Sequence, residues 1–555
     1  MMEASGGQLV VQSLLTERVR RVFTVPGESF LAVLDALYDT ADEIDVVSTR
    51  HEEGAGFMAD SYAKASGEVG VCMVTRGVGV TNLSIALHTA RQDSTPLVAL
   101  VGQVPTQFRY REAFQEVDLD RFLSPIVKWA IEIPTSERVA ELMQQAFRVA
   151  RSERPGPVVV GLPEDVLSGM ADAATARPPI VVSSPRPDAE AVAVAYDAIH
   201  SASRPVVVAG REILTTGSTG RLVEMSEQLA VPVMTAFRRF DAFPNDHANY
   251  AGNIALGTPK AALKPLEEAD LVIGLGTRFT EVTTNGYDYP KVETPILHVT
   301  ASAELAGVWG AQVTPIVAGV DKFLSDLEAH HGERGPGTDE LPPGRTEAIR
   351  RYREIYERVS RFDEPVPDFD GTSISQVVEA ISSRAPRNTA ITTDAGNFSA
   401  WVSRYYPFVE PMTHFAPISG AMGYGLPGAI GASFADRDRL VFAFAGDGGF
   451  AMTMSELAVV AEHRLKVVSL VFVNGQYGTI RMHQQKHFPD RRVATTLHNP
   501  SFVAIGNAFG LDSFRVSNNA EFERVLDDLI ADPRPALVEI MEGNERLTAW
   551  GNFKG

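Results

Sequence analysis

The chain has 555 residues, 45% of them hydrophobic and 22% charged, the balance of a soluble globular protein with room for about three domains. Its net charge of −20 disfavours a nucleic-acid partner, because phosphate neutralisation needs a basic face. A single cysteine, Cys72, excludes an internal disulfide and cysteine-rich metal sites. No signal-type apolar region opens the chain and no apolar run reaches membrane-span length, so the expected setting is cytoplasmic, with no membrane partner.

In chain order, a turn at Val25-Pro26-Gly27-Glu28 precedes an apolar run at 44–48, which leads into Arg50-His51-Glu52-Glu53-Gly54 and a small-residue helix. Strand-like runs follow at 70–75, 97–102 and 158–162; Cys72 lies in the first of them and reads as a core residue. A stretch rich in Ala, Pro and Ser at 171–187 reads as a linker. Runs at 206–210, 271–276 and 295–300 come next, then a second crossing at 330–367 with a helical stretch at 346–359. His330-His331, beside this crossing, reads as a solvated helix end. The last third carries runs at 390–392, 440–445 and 467–474 and a final strand at 535–540. Apolar runs alternating with helical periodicity predict α/β architecture with parallel sheets, in three units at 1–170, 189–330 and 368–555.

The most informative segment is 446–474. Gly446-Asp447-Gly448-Gly449 directly follows one apolar run, and Asn474 ends the next. Asp447 and Asn474 are 27 positions apart, a span that fits strand, helix and strand. Both would then lie at the carboxyl ends of parallel strands, where open α/β sheets bind ligands. A carboxylate and a carboxamide oxygen are hard ligands suited to Mg²⁺, which fills its octahedron with phosphate and water oxygens. The glycines let backbone N–H groups approach a diphosphate.

This segment resembles the signature of thiamine-diphosphate (ThDP) enzymes. In that family the Asp, the Asn and a backbone carbonyl two residues later, here Gln476, hold the metal, and Tyr477 and Gly478 continue the cofactor loop. Arg50-His51-Glu52 resembles the family's activation motif, whose glutamate hydrogen-bonds the aminopyrimidine and relays a proton for the thiazolium. By itself Glu52 could equally cap a helix start. Pro26-Gly27-Glu28-Ser29, Gly77 to Asn82, Ala113-Phe114-Gln115-Glu116, 125–129 and Gly420-Ala421-Met422-Gly423-Tyr424-Gly425-Leu426-Pro427 resemble acetolactate (acetohydroxyacid) synthases. The resemblance covers nearly the whole chain.

It implies three doubly wound parallel-sheet domains: a pyrimidine domain, a Rossmann-like middle domain and a diphosphate domain. It further implies ThDP and Mg²⁺ as cofactors, a 2-oxo acid and a carbonyl acceptor as substrates, and active sites at the interfaces of a homodimer or homotetramer. Met422 falls where the family bends the cofactor with an apolar wedge; alone it would read as core. Gly396 and Asn397 fall in the diphosphate loop, but Asn397-Phe398 replaces a common Gln-His. Pro26, Gly27 and Glu28 would lie beside the thiazolium, and Phe114 and Gln115 would line the substrate pocket, where an amide can donate to a carboxylate. Lys128 matches a lysine near the channel and otherwise reads as a surface residue. His483 stands where biosynthetic synthases usually carry Trp; a substrate contact, an acid/base group and an exposed loop histidine remain open. In the middle domain, Arg211 and Arg278 would contact FAD, with a purely structural domain as the other reading. The function expected is carboligation or decarboxylation of pyruvate or a related 2-oxo acid. A non-oxidative decarboxylase or C–C lyase and a flavin-dependent 2-oxo-acid oxidase are the alternatives.

Overall fold

Each cluster of apolar runs folds into a six-stranded sheet whose strands are all parallel. The computed structural model describes residues 3–172, 178–307, 312–334, 341–362, 371–543 and 548–550. The runs form strands because they are fully buried: Val467–Val473 and Pro157–Pro163 are apolar on both faces, as central parallel strands covered by helices must be.

The first sheet runs, edge to edge, Asp45–Ser48, Arg21–Thr24, Gly70–Thr75, Leu97–Gln103, Pro157–Pro163 and Trp129–Glu132. The middle sheet runs Tyr250–Asn253, Val233–Thr235, Pro205–Ala209, Leu271–Leu275, Ile296–Thr300 and Val313–Val317. The third runs His414–Phe415, Ala390–Thr393, Val441–Gly446, Val467–Val473, Ala536–Met541 and Asp512–Val516. In each, the chain winds outward from an inner strand, then returns to its other side, leaving a crevice at the carboxyl ends where the order reverses. Those crevices lie between Arg21–Thr24 and Gly70–Thr75, between Pro205–Ala209 and Leu271–Leu275, and between Ala390–Thr393 and Val441–Gly446.

The first and third sheets share one hydrophobic core. Helix Gly425–Ala435 is apolar all round and almost wholly buried, so it must be covered by protein on every side. It packs on helix Glu52–Ser66, and a Cβ on Gly431 would lie 2.2 Å from the Met58 carbonyl oxygen. A buried charge network also ties the three units together. Lys64 Nζ lies 2.6 Å from Asp60 and 3.0 Å from Asp93, Arg239 donates to Asp93, and the Tyr424 hydroxyl donates to Asp60 at 2.9 Å. Although burial opposes it, Lys64 and Arg239 hold the Asp93 carboxyl below its ordinary range.

Residues 173–177 of the expected first linker lie outside the described residues, and 178–188 form no helix or strand. In the second crossing, 335–340 and 363–370 lie outside them. The helix between, Arg345–Val359, packs on the middle unit: Tyr352 and Ile349 are buried, and the Tyr356 ring meets Tyr250 edge-on at 4.8 Å. His330-His331 is not a solvated helix end. His331 Nδ1 is 2.8 Å from the Tyr196 hydroxyl and the His330 ring packs edge-on against Tyr196, because helix Val320–Arg334 lies along helix Ala189–Ser201. No helix among the described residues is long and apolar enough to cross a membrane.

Candidate active site

The crevice of the third sheet contains a cavity of about 260 Å³. Gly396, Asn397, Gly420, Met422, Gly446, Asp447, Gly448, Gly449, Asn474, Gln476, Tyr477 and Gly478 all line it, together with Glu542. Asp447 stands immediately after strand Val441–Gly446, and Asn474 immediately after Val467–Val473. Asp447 Oδ2 accepts from Gly475 N at 2.8 Å and from Asn499 Nδ2 at 2.7 Å, while Oδ1 accepts from Gly448 N at 2.8 Å. The carboxylate therefore binds one loop to the next. Gly475 sits at φ +67°, a left-handed conformation that glycine adopts without strain. A Cβ on Gly449 would lie 2.7 Å from an Asp394 carboxylate oxygen, so that position too is closed to a side chain. Burial pushes the Asp447 carboxyl upward, partly offset by its backbone and Asn499 donors.

Asn397 does not have an idle amide: its Oδ1 accepts from Thr479 Oγ1 at 3.0 Å, and Thr479 Oγ1 also accepts from Asn397 N at 3.1 Å. Phe398 stacks on Phe472 with ring centres 6.0 Å apart.

Glu542 is a feature the sequence did not single out. It follows strand Ala536–Met541, and its Oε2 accepts from Asn474 Nδ2 at 3.0 Å. Burial first, and then the neighbouring Asp447 charge, raise its carboxyl to about 8. The only sequence cue was an acidic residue two positions past the final strand expected at 535–540. Its proximity to Asn474 depends on the Val473–Met541 register, which a single sequence does not display.

A second group of predicted residues gathers at the carboxyl ends of the first sheet. Glu52 opens helix Glu52–Ser66, is buried, and accepts from Asn82 Nδ2 at 2.9 Å through Oε2. A Cβ on Gly79 would sit 3.5 Å from its Oε1. Glu53 turns the other way, toward Gly423 of the third unit. Burial, then the Asp394 charge, push its carboxyl up to about 7. Glu456 crosses from the third unit to accept from Arg50 N and His51 N, at 3.1 and 2.9 Å, and burial raises it to about 7. Gln115 takes φ +64°, and its carbonyl accepts from Gly77 N at 2.9 Å. Glu116 pins that loop by accepting from Tyr110 N and Ala113 N. Glu28 pairs with Arg76 at 3.4 Å, and the Arg76 guanidinium lies over the Phe114 ring, which is 72% exposed.

None of Pro26, Gly27, Glu28, Glu52, Phe114, Gln115, Lys128 or His483 lines the Asp447 cavity. Lys128 Nζ instead donates to the Val149 carbonyl at 2.6 Å and to Ser152, closing the end of helix Val139–Arg151, and burial pulls it down to about 8. His483 lies on helix Gly478–His487 rather than on a loop; it is exposed and its ring runs parallel to His487 at 6.2 Å. The helix forms because the backbone leaving Gly478 has no Pro or Gly to break it before Phe488.

The middle sheet's crevice holds a larger cavity of about 410 Å³, bordered by Arg211, Arg239, Arg278 and Arg154 and by Gly210 and Gly276. Burial lowers the Arg211 guanidinium to about 10, and its side chain has no hydrogen-bond partner among the described residues.

Three family models match these three units. The N-terminal, central and C-terminal domains of thiamine pyrophosphate enzymes match residues 4–122, 192–327 and 394–540. The chain belongs to the thiamine-diphosphate enzyme family. A probable acetolactate synthase large subunit from Methanocaldococcus jannaschii is 32% identical, with 97% of this chain and 91% of that protein covered. The large subunit of acetolactate synthase isozyme 1 from Escherichia coli K12 is 31% identical over 97% of this chain and 93% of its own. The mitochondrial catalytic subunit of acetolactate synthase from Aspergillus candidus is 30% identical, with 97% and 80% covered. The Asp447 crevice thus belongs to the domain that binds ThDP in this family, and the Glu52 helix to the N-terminal ThDP-binding domain.

Proposed function

We propose that the protein is a ThDP- and Mg²⁺-dependent carboligase that takes pyruvate or a related 2-oxo acid as donor and a second carbonyl compound as acceptor. The observation that carries this reading is the convergence of Asp447, Asn474 and Gln476 on one glycine-lined cavity at a sheet's switch point. The donor set fits Mg²⁺: one carboxylate, one carboxamide oxygen and a backbone carbonyl leave coordination positions for diphosphate and water. The relatives named above carry the names of acetolactate synthases or probable ones and are matched over 80–93% of their own length, which favours a 2-oxo acid as donor.

When bound, ThDP supplies a carbon nucleophile that adds to a keto carbonyl and stabilises the carbanion left by CO₂. The protein's own groups do the rest. Glu52, buried and held by Asn82, is the carboxylic acid that exchanges a proton with the aminopyrimidine. Met422 lines the same cavity as Asp447 and would supply the apolar contact that bends the cofactor. Gln115, held in its left-handed conformation by the Gly77 contact, offers an amide to the substrate carboxylate.

Because Glu52 and Asp447 occupy separate half-sites in one chain, the catalytic unit is a dimer in which a partner copy brings its Glu52 to this Asp447. Phe108, Tyr110, Phe114 and Phe122 on the first unit and Ile480, Phe488 and Val493 on the third are large apolar side chains left exposed by a single chain, as an unformed interface would leave them. The middle cavity, with an Arg211 that has no hydrogen-bond partner among the described residues, suits the diphosphate of a nucleotide, and FAD is the group the family resemblance offers for it. A yellow purified protein that releases its colour into the protein-free filtrate on denaturation supports that assignment.

Product analysis of the purified protein with ThDP, Mg²⁺ and pyruvate, with and without added aldehydes or 2-oxo acids, tests the whole reading. Acetolactate or a mixed hydroxy ketone is the expected product. Acetaldehyde alone marks a decarboxylase instead, and oxygen consumption coupled to pyruvate loss marks an oxidase.

A further inference from the structure

The geometry points to Glu542 as a positioning residue of the cation site, one that turns the Asn474 carboxamide so that its oxygen faces the metal; this rests on the ThDP–Mg²⁺ reading of the Asp447 cleft.

Three adjacent parallel strands end within one residue of the same level. Gly446 pairs with Phe472, and Val473 pairs with Met541, so Asp447, Asn474 and Glu542 emerge side by side. All three line the one cavity. The backbone of Glu542 is fixed on both sides. Its N–H donates to the Val473 carbonyl at 3.1 Å, and Thr372 bridges to it from the other flank. The side chain therefore has a rigid base from which to reach Asn474.

The Asn474 carboxamide has two faces, and only one arrangement satisfies both neighbours. Its Nδ2 donates to Glu542 Oε2 at 3.0 Å, and its Oδ1 accepts from Gln476 N at 3.1 Å. Reversed, the amide would set its NH₂ against the Gln476 N–H, donor against donor, and its oxygen against a carboxyl oxygen. The observed arrangement leaves Oδ1 one lone pair for a cation. A metal ligand held by a second hydrogen bond keeps its orientation without paying for it at each binding event, and loss of such a partner costs metal affinity by about 10–100-fold. Nothing in the Asp447–Asn474 spacing encodes this support. It comes from a strand some seventy residues further along.

The test separates the acceptor from the charge and the site from the support. Mg²⁺ would be titrated calorimetrically into the full-length protein saturated with ThDP, for the wild type, Glu542→Gln and Glu542→Leu. Glutamine keeps an acceptor oxygen at the same reach, so its Mg²⁺ affinity should stay within about threefold of wild type. Leucine removes the acceptor at similar volume, and its affinity should fall by about 10–100-fold. Circular dichroism and unchanged thermal unfolding of the cofactor-free variants would show that the fold is intact. A leucine variant that binds Mg²⁺ as wild type does overturns the positioning role, and so does a glutamine variant that loses as much as leucine. If the wild type itself binds no Mg²⁺ in the presence of ThDP, the cofactor reading fails and this inference falls with it.

Discussion

Two neighbouring glutamates open one helix and face opposite ways, and that divergence assigns them different work. Glu52 stays within its own unit against Asn82. Glu53 points across to the third unit, where Asp394 and Glu456 share its surroundings. Burial raises the Glu53 carboxyl from 4.5 to about 7. Between those two values the folded chain holds a proton that the unfolded chain has already released. Stability is therefore greatest below about pH 4.5 with respect to this group, falls as pH rises toward 7, and is level above. The loss is at most about 3 kcal/mol for a shift of this size, and less because the nearby carboxyls titrate together. Glu53→Gln should remove that slope: urea unfolding at pH 5 and pH 8 should show the variant gaining stability relative to wild type only at the higher pH. Parallel curves for the two proteins would show that Glu53 is not the group responsible.

At the scale of elements, the crossing of helices Glu52–Ser66 and Gly425–Ala435 holds the first and third units together. At Gly431 one backbone lies so close to the other that there is no room for a side chain. Alanine there would gain about 1 kcal/mol of helix propensity. The new Cβ, however, would meet the Met58 carbonyl at 2.2 Å, and overpacking against a backbone that cannot rotate away costs about 1–3 kcal/mol. The clash should win, so Gly431→Ala should lower the urea midpoint, whereas alanine at the unobstructed Gly220 should not. A Gly431→Ala protein as stable as wild type would mean the helices can slide apart freely. The same scale explains what could be read from sequence. Central parallel strands are buried on both faces, so they announce themselves as apolar runs, and the residue ending each run inherits a known place at the sheet's edge. Asp447 and Asn474 were legible for that reason. Glu542 ends a run in the same way, but its meaning depends on which strand lies beside it, and single-sequence patterns do not carry strand order. Lys128 and His330-His331 show a related limit. Their surroundings come from helices Val139–Arg151 and Ala189–Ser201, and no local pattern foretells which helix will pack beside a given charge or ring.

At the scale of the molecule, the question is how two half-sites on one chain become one active site. The Asp447 cavity is lined only by residues 395–542, and the Glu52 group lies on the first unit. A closed two-fold dimer would place each copy's first unit against the other's third unit and generate two equivalent sites. That arrangement makes a sharp prediction. Glu52→Gln disables one half-site and Asp447→Ala the other, so each variant alone should be inactive. In a mixed dimer, one site receives both altered halves and the other receives both intact halves. If the variants are co-refolded or co-expressed in equal amounts, half of the dimers are mixed and each carries one working site, restoring about a quarter of wild-type activity. If each active site were instead built within a single chain, every site in the mixture would still carry one lesion, and no activity would return however the subunits paired. The recovered fraction, measured on the equal mixture by product formation, therefore decides whether Glu52 and Asp447 cooperate between chains or within one.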